Sequence, residues 1–180
     1  MRLKSRQELK TWLHDDSLGG KRRVILTNGC FDLIHPGTVR FFDELNRRAL
    51  KMFGPLQCGE WGQRRAGCGE HIILVAVNSD RSVRSLKPGR PINKLADRME
   101  VLNGLKGIDA VCSFEEATPL NIVKLVKPAV LAKGGDWAED KIIGADFVKS
   151  HGGSVWVIPY SRGYSTTRII ERIRRGEAQR

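Results

Sequence analysis

The 180-residue chain is 41 % hydrophobic and 28 % charged, with a formal net charge of +11. These values exclude a disordered chain and fit one globular domain, 1–180, with a core of its own. No apolar run approaches a membrane span, and the charged start MRLKSRQELK lacks the core of a signal peptide, so a cytoplasmic protein without a membrane partner is expected.

In chain order, Ser5 and Glu8 have the Ser-x-x-Glu form of a capping box, and Leu9, Trp12 and Leu13 supply an apolar stripe. A helical extension over 1–20 follows, stopped by Gly19 and Gly20. Five short runs rich in branched residues come next, at 24–26, 72–77, 110–112, 129–132 and 155–158. They are continuously apolar, as strands covered on both faces are.

Between them, Phe42, Leu45, Ala49 and Met52 fall at helical spacing. So do Leu95, Met99, Leu102 and Leu105, then Leu120, Val123 and Val126. Ile142, Ile143 and Phe147 are a weaker set, and Ile169, Ile170 and Ile173 close the chain. The alternation predicts a Rossmann-like three-layer α/β sandwich, a five-stranded parallel sheet with helices on both faces.

Segment 54–70 has no apolar period and reads as an inserted surface loop. Its Cys58 and Cys68, with His71, match no common zinc spacing, and no metal site is expected there. Cys30 and Cys112 read as reduced thiols.

The positive charge is scattered in basic pairs, as at Arg47-Arg48 and Arg174-Arg175. No nucleic-acid recognition pattern accompanies it, so phosphorylated small molecules are the better match. Unusual polar groups follow four of the strands: NGCFDLIHPGT, NSDRSVRSLKPGR, KGGDW and SRGYSTT. Open parallel sheets bind ligands at that edge. No GxGxxG follows a strand, no GxxxxGK[ST] occurs and no Ser-centred nucleophile elbow is present, which argues against nicotinamide-dependent dehydrogenases, P-loop NTPases and serine hydrolases.

Two helix starts stand out. Gly37 and Thr38 open one whose first carboxylate is Asp43; Ser165, Thr166 and Thr167 open another whose first is Glu171. Helix starts without carboxylates leave the positive dipole end and its amides available to a phosphate. The plain alternative at each is an ordinary Ser or Thr cap.

TNGCFDLIHPGT resembles the HxGH-containing first loop of the cytidylyltransferase-like nucleotidyltransferase superfamily, and RGYSTTRII its second signature. With AVNSD, RSLKPGRPIN, DRMEVL and KGGDW, the chain from about Arg22 to Ile173 is similar to the adenylyltransferase domains that activate D-glycero-β-D-manno-heptose 1-phosphate. In that family a kinase domain is sometimes fused, and the length here leaves no room for one.

The resemblance implies AMP transfer from ATP, with Mg²⁺, to a sugar 1-phosphate, giving ADP-sugar and pyrophosphate. It implies catalytic roles for His35, Thr38 and Lys87. Nucleotide contacts would come from Asn28, Gly29, Cys30, Phe31, Gly37, Arg98, Gly135, Asp136, Trp137, Tyr164, Ser165, Thr166 and Thr167, and sugar or acceptor contacts from Asp32, Asp80 and Arg90. Dimerisation is a family expectation. Where the family pattern has a second histidine, this chain has Thr38, which is shorter and neutral. Two alternatives stay open: cytidylyl transfer to glycerol 3-phosphate or another alcohol phosphate, and a nucleotide-binding relative with weak or no turnover.

Overall fold

Branched residues in unbroken runs pack well on a pleated surface and form strands where both faces are covered. The computed structural model describes residues 1–3, 5–14, 23–54, 71–135, 137–159, 161 and 163–177. In it those runs become strands β2 (Arg23–Gly29), β3 (His71–Asn78), β4 (Ala110–Phe114), β5 (Val130–Gly134) and β6 (Ser154–Ile158). A sixth strand, β1 (Arg2–Leu3), corrects the expected five. It pairs with Val111 and Cys112 of β4 and buries Leu3.

The helices are α1 (Arg6–Leu13), α2 (Pro36–Phe53), α3 (Asp80–Leu86), α4 (Leu95–Gly104), α5 (Leu120–Val126), α6 (Ala145–Ser150) and α7 (Thr166–Arg175). Ser5 caps α1 by accepting from the Glu8 amide, as the capping box requires, but α1 ends at Leu13. Gly19, Gly20 and most of the expected insertion, 55–70 with Cys58 and Cys68, lie outside the described residues. Helix α3 falls in a stretch read from sequence as loop; Ser79 caps it, and Val83 anchors it in the core.

All pairings are parallel, in the order β1-β4-β3-β2-β5-β6. The chain builds outward from β2 to β3 and β4, then returns to start β5 on the other flank of β2. That reversal puts the topological switch point between the carboxyl ends of β2 and β5. Thr27 pairs with Ala132 there, so Asn28 and Lys133 are the next residues out.

Alternation along the strands divides the core in two. Val24, Leu26, Leu74 and Leu131 meet α1, α5 and α6 on one face. Ile25, Ile73, Val75 and Ala132 meet Phe42, Leu45 and Ala49 of α2 and Met99 and Leu102 of α4 on the other. Burial also pushes the Cys112 thiol up to about 12, which suits an inert core thiol. No helix among the described residues is long and apolar enough to cross a membrane.

Leu26 is fully buried in the central strand, whereas Ile173 on α7 is 70 % exposed. Leu26→Ala is expected to cost about 2–5 kcal/mol in urea unfolding. Ile173→Ala should change stability by less than about 0.5 kcal/mol. Equal losses would show that α7 packs far more tightly than this.

Candidate nucleotide site

The loop leaving β2 runs directly into α2. His35 is the N-cap of that helix, with Pro36 at the first helical position, where a missing N–H costs nothing. The His35 ring Nδ1 accepts from the Thr38 amide at 3.3 Å and lies 3.4 Å from Thr38 Oγ1. An accepting Nδ1 carries no proton, so the neutral ring presents its N–H at Nε2. Thr38 is buried and turned toward the imidazole it helps to fix.

The start of α7 lies against this loop. Thr166 donates its hydroxyl to Leu33 O at 3.2 Å, and the Tyr164 ring stacks near His35 with centroids 6.4 Å apart. Arg40 places its guanidinium 5.0 Å from the other partner of that stack, the Tyr164 ring centroid. A Cβ on Gly37 would come within 3.0 Å of Tyr164 Cβ and 3.1 Å of the His35 ring, so only glycine allows this approach without movement.

Ser165 caps α7 by accepting from the Arg168 amide. Neither α2 nor α7 has an acidic residue in its first turn. Two helix starts with uncompensated positive ends therefore meet at the carboxyl edge of the sheet. An open cleft of about 650 Å³ runs from His35 and Tyr164 along α7, past Arg168, Glu171 and Arg172, to Glu177.

Behind that edge, a buried network sets the loops. Arg98, for which the resemblance implies a nucleotide contact, is 1 % exposed. Its Nε donates to Asn93 O, Nη1 to Cys30 O, and Nη2 to Asn78 O and Asp80 Oδ1. Asp32 is 3 % exposed. Its Oδ1 accepts from the Ile92 and Asn93 amides, while Asn93 Nδ2 donates to Asp32 O. Asp32 and Asp80 are thus turned inward to protein groups. Arg90 reaches across to donate to Thr167 Oγ1 at 3.0 Å, joining the segment after α3 to α7.

Asn28, Gly29, Cys30 and Phe31 form the end of β2 and the start of its loop. Phe31 takes a left-handed φ of 46°, uncommon for a bulky side chain, and its ring lies 3.1 Å from where a Gly29 Cβ would stand. Lys87 caps the carboxyl end of α3 and is exposed. Gly135 is buried beyond β5 with φ 127°, its amide donating to Ile158 O. Trp137 is largely exposed and joins none of these contacts, and Asp136 is outside the described residues.

One site residue was missed in the sequence. Lys133, near the carboxyl end of β5, places Nζ 3.3 Å from Asn28 O and 3.4 Å from Asn28 Oδ1. A lysine breaking an apolar strand at the switch point was the available signal. No cluster of three metal-ligating side chains occurs among the described residues.

Burial of His35 lowers its pKa from the ordinary 6.5, opposed by a smaller backbone hydrogen-bond effect. The unfolded state therefore binds the proton more readily, so the contribution of the neutral ring to stability is full above 6.5 and falls as pH drops through the lowered pKa. In an NMR titration the His35 ring should protonate with a midpoint below 6.5. A midpoint above 6.5 would contradict the cap geometry.

The sequence profile of the cytidylyltransferase-like family matches residues 64–172. The bifunctional protein HldE of Pseudomonas syringae is 45 % identical over 161 residues, and that of Pseudomonas putida 43 % over 162. Each alignment takes in 89 % of this chain and 30 % of the relative, so the chain spans under a third of those proteins. Among solved structures, a lipopolysaccharide core biosynthesis protein from Thermoplasma volcanium aligns with a TM-score of 0.51 at 22 % identity, over 79 % of this chain and 98 % of that one. A macrolide-efflux protein from Streptococcus pneumoniae aligns at 0.58 and 18 %, over 96 % and 56 %. At such identities these two speak for the fold alone.

Proposed function

The chain belongs to the cytidylyltransferase-like family, and on that premise we propose that it transfers AMP from ATP to a sugar 1-phosphate, with D-glycero-β-D-manno-heptose 1-phosphate the first candidate, releasing pyrophosphate. The observation that carries the reading is the meeting of two acid-free helix starts, α2 and α7, at one strand edge. A triphosphate is the ligand with enough anionic groups to use both.

In this reading the α2 start, with His35 Nε2–H, and the amides of Thr166 and Thr167 hold the nucleotide phosphates. An acceptor phosphate oxygen forms a bond to the α-phosphorus as the bond to the bridging oxygen of pyrophosphate breaks, and the electron pair leaves with pyrophosphate. No covalent enzyme intermediate is required, so the protein contributes positioning and charge stabilisation. Mg²⁺ would enter with ATP as part of the substrate. Lys87 neutralises charge between the two substrates.

Arg98, Asp32 and Asp80 act from behind, holding the loops instead of touching phosphate or sugar. Tyr164 orients the His35 ring, and Arg90 holds Thr167. Gly135 and Trp137 border the nucleoside end, where the open side of Trp137 suits stacking on a base.

Thr38 marks the weak point in the chemistry. Its hydroxyl is turned to His35 Nδ1, and it supplies no cationic donor to the α-phosphate. Pyrophosphate release from ATP and heptose 1-phosphate tests the proposal. The native chain should turn over, and Thr38→His should raise kcat by roughly 10²-fold. ATP binding without turnover in both proteins would make this a binding protein. Turnover only with CTP and glycerol 3-phosphate would move it to the cytidylyl branch.

A further inference from the structure

The nucleotide reading leaves Lys133 unused. Its position is unusual for a lysine: half-buried, one residue beyond the Thr27–Ala132 pair, at the switch point of the sheet. Its partners are the carbonyl and side-chain oxygens of Asn28, both neutral, and no carboxylate pairs with it among the described residues. A buried ammonium with only neutral acceptors is costly to keep for packing alone.

Alternation locates it further. Leu131 packs on the α1, α5 and α6 face, so Lys133, two residues on, projects from that same face, opposite the one covered by α2. Asn28 shares the face with Leu26 in the same way. Lys133 therefore approaches the strand edge from the side away from the α2 start and its His35 cap. Lys87, at the end of α3, is close enough for its charge to bear on Lys133. A half-buried lysine with neutral partners at the switch point, within electrostatic reach of a second lysine, makes a place for an anion.

We infer that Lys133, assisted by Lys87, forms a second anion subsite that receives the phosphate of the acceptor, separate from the helix starts that hold the nucleotide. The assignment rests on the nucleotidyl-transfer reading. It explains why a lysine breaks an apolar strand: an acceptor phosphate entering there lies beside the nucleotide, with Asn28 steering the ammonium. Burial, and to a lesser degree Lys87, lowers the Lys133 pKa against an opposing effect of Cys30, so an arriving phosphate dianion would strengthen its charged form.

The experiment is calorimetric titration of inorganic phosphate into the intact chain, with and without saturating α,β-methylene-ATP, for the native protein, Lys133→Met, Lys133→Arg and Lys87→Met. Thermal melts accompany each variant to establish folding. Loss of a charge-assisted contact should weaken phosphate about tenfold or more in Lys133→Met, leaving the affinity for the nucleotide analogue within about threefold. Lys133→Arg should retain most of the phosphate affinity, and exposed Lys87→Met should lose less than Lys133→Met.

The inference is overturned if Lys133→Met binds phosphate like the native protein. It is equally overturned if the nucleotide affinity falls instead, or if both fall together with the melting temperature while Lys133→Arg fails to rescue. Should the analogue bind none of the four proteins, the nucleotidyl-transfer reading fails. The titration without nucleotide then still decides whether Lys133 holds an anion.

Discussion

The guanidinium of Arg98 is the piece on which the rest of the strand edge depends. It is buried, and it ties together Cys30 O beyond β2, Asn78 O at the end of β3, Asp80 at the start of α3, and Asn93 O ahead of its own helix. Taking a guanidinium out of water is expensive unless its donors are well matched, and a planar fork with several N–H groups suits three loops at once. Asp32 closes the same network from the β2 side by accepting from the Ile92 and Asn93 amides. Loops joined in this way cannot drift separately. That rigidity is what chemistry depending on position, with no covalent step, requires.

On this frame the positive charge is arranged at short range. The α2, α5 and α7 starts carry no first-turn acid, whereas α1, α3, α4 and α6 carry Glu8, Asp80, Asp97 and Asp146. Of these three, α2 and α7 are the pair that meet beside His35 and Tyr164. Lys133 adds a further positive group beside Asn28, at the end of β2. The net charge of +11 therefore matters less than the few positive groups that converge, because exposed charges elsewhere are screened within about 10 Å.

The central strands were legible because burial on both faces leaves continuous apolar runs, and the capping box marked α1 for the same local reason. Strand β1 was not, since two residues pairing through their backbones carry no period. Helix α3 hid in a polar stretch because only Val83 and Ser82 of it are buried. The candidate loops were found from their glycines and from the absence of carboxylates at two helix starts. What failed was the inward or outward sense of charged side chains. Arg98 reads as a nucleotide contact and Asp32 as a substrate ligand, because most of the protein groups that claim them come from loops distant in sequence. Lys133 is hard to place because a lysine opening the polar stretch KGGDW reads as the solvated end of its strand.

The most direct measurement is a crystal structure of the chain with α,β-methylene-ATP. The account predicts triphosphate oxygens within hydrogen-bonding distance of His35 Nε2 and of the Thr166 and Thr167 amides, with Arg98 still bound to Cys30, Asn78 and Asn93. A triphosphate bound away from both helix starts, or an Arg98 guanidinium swung out to meet it, would contradict the account.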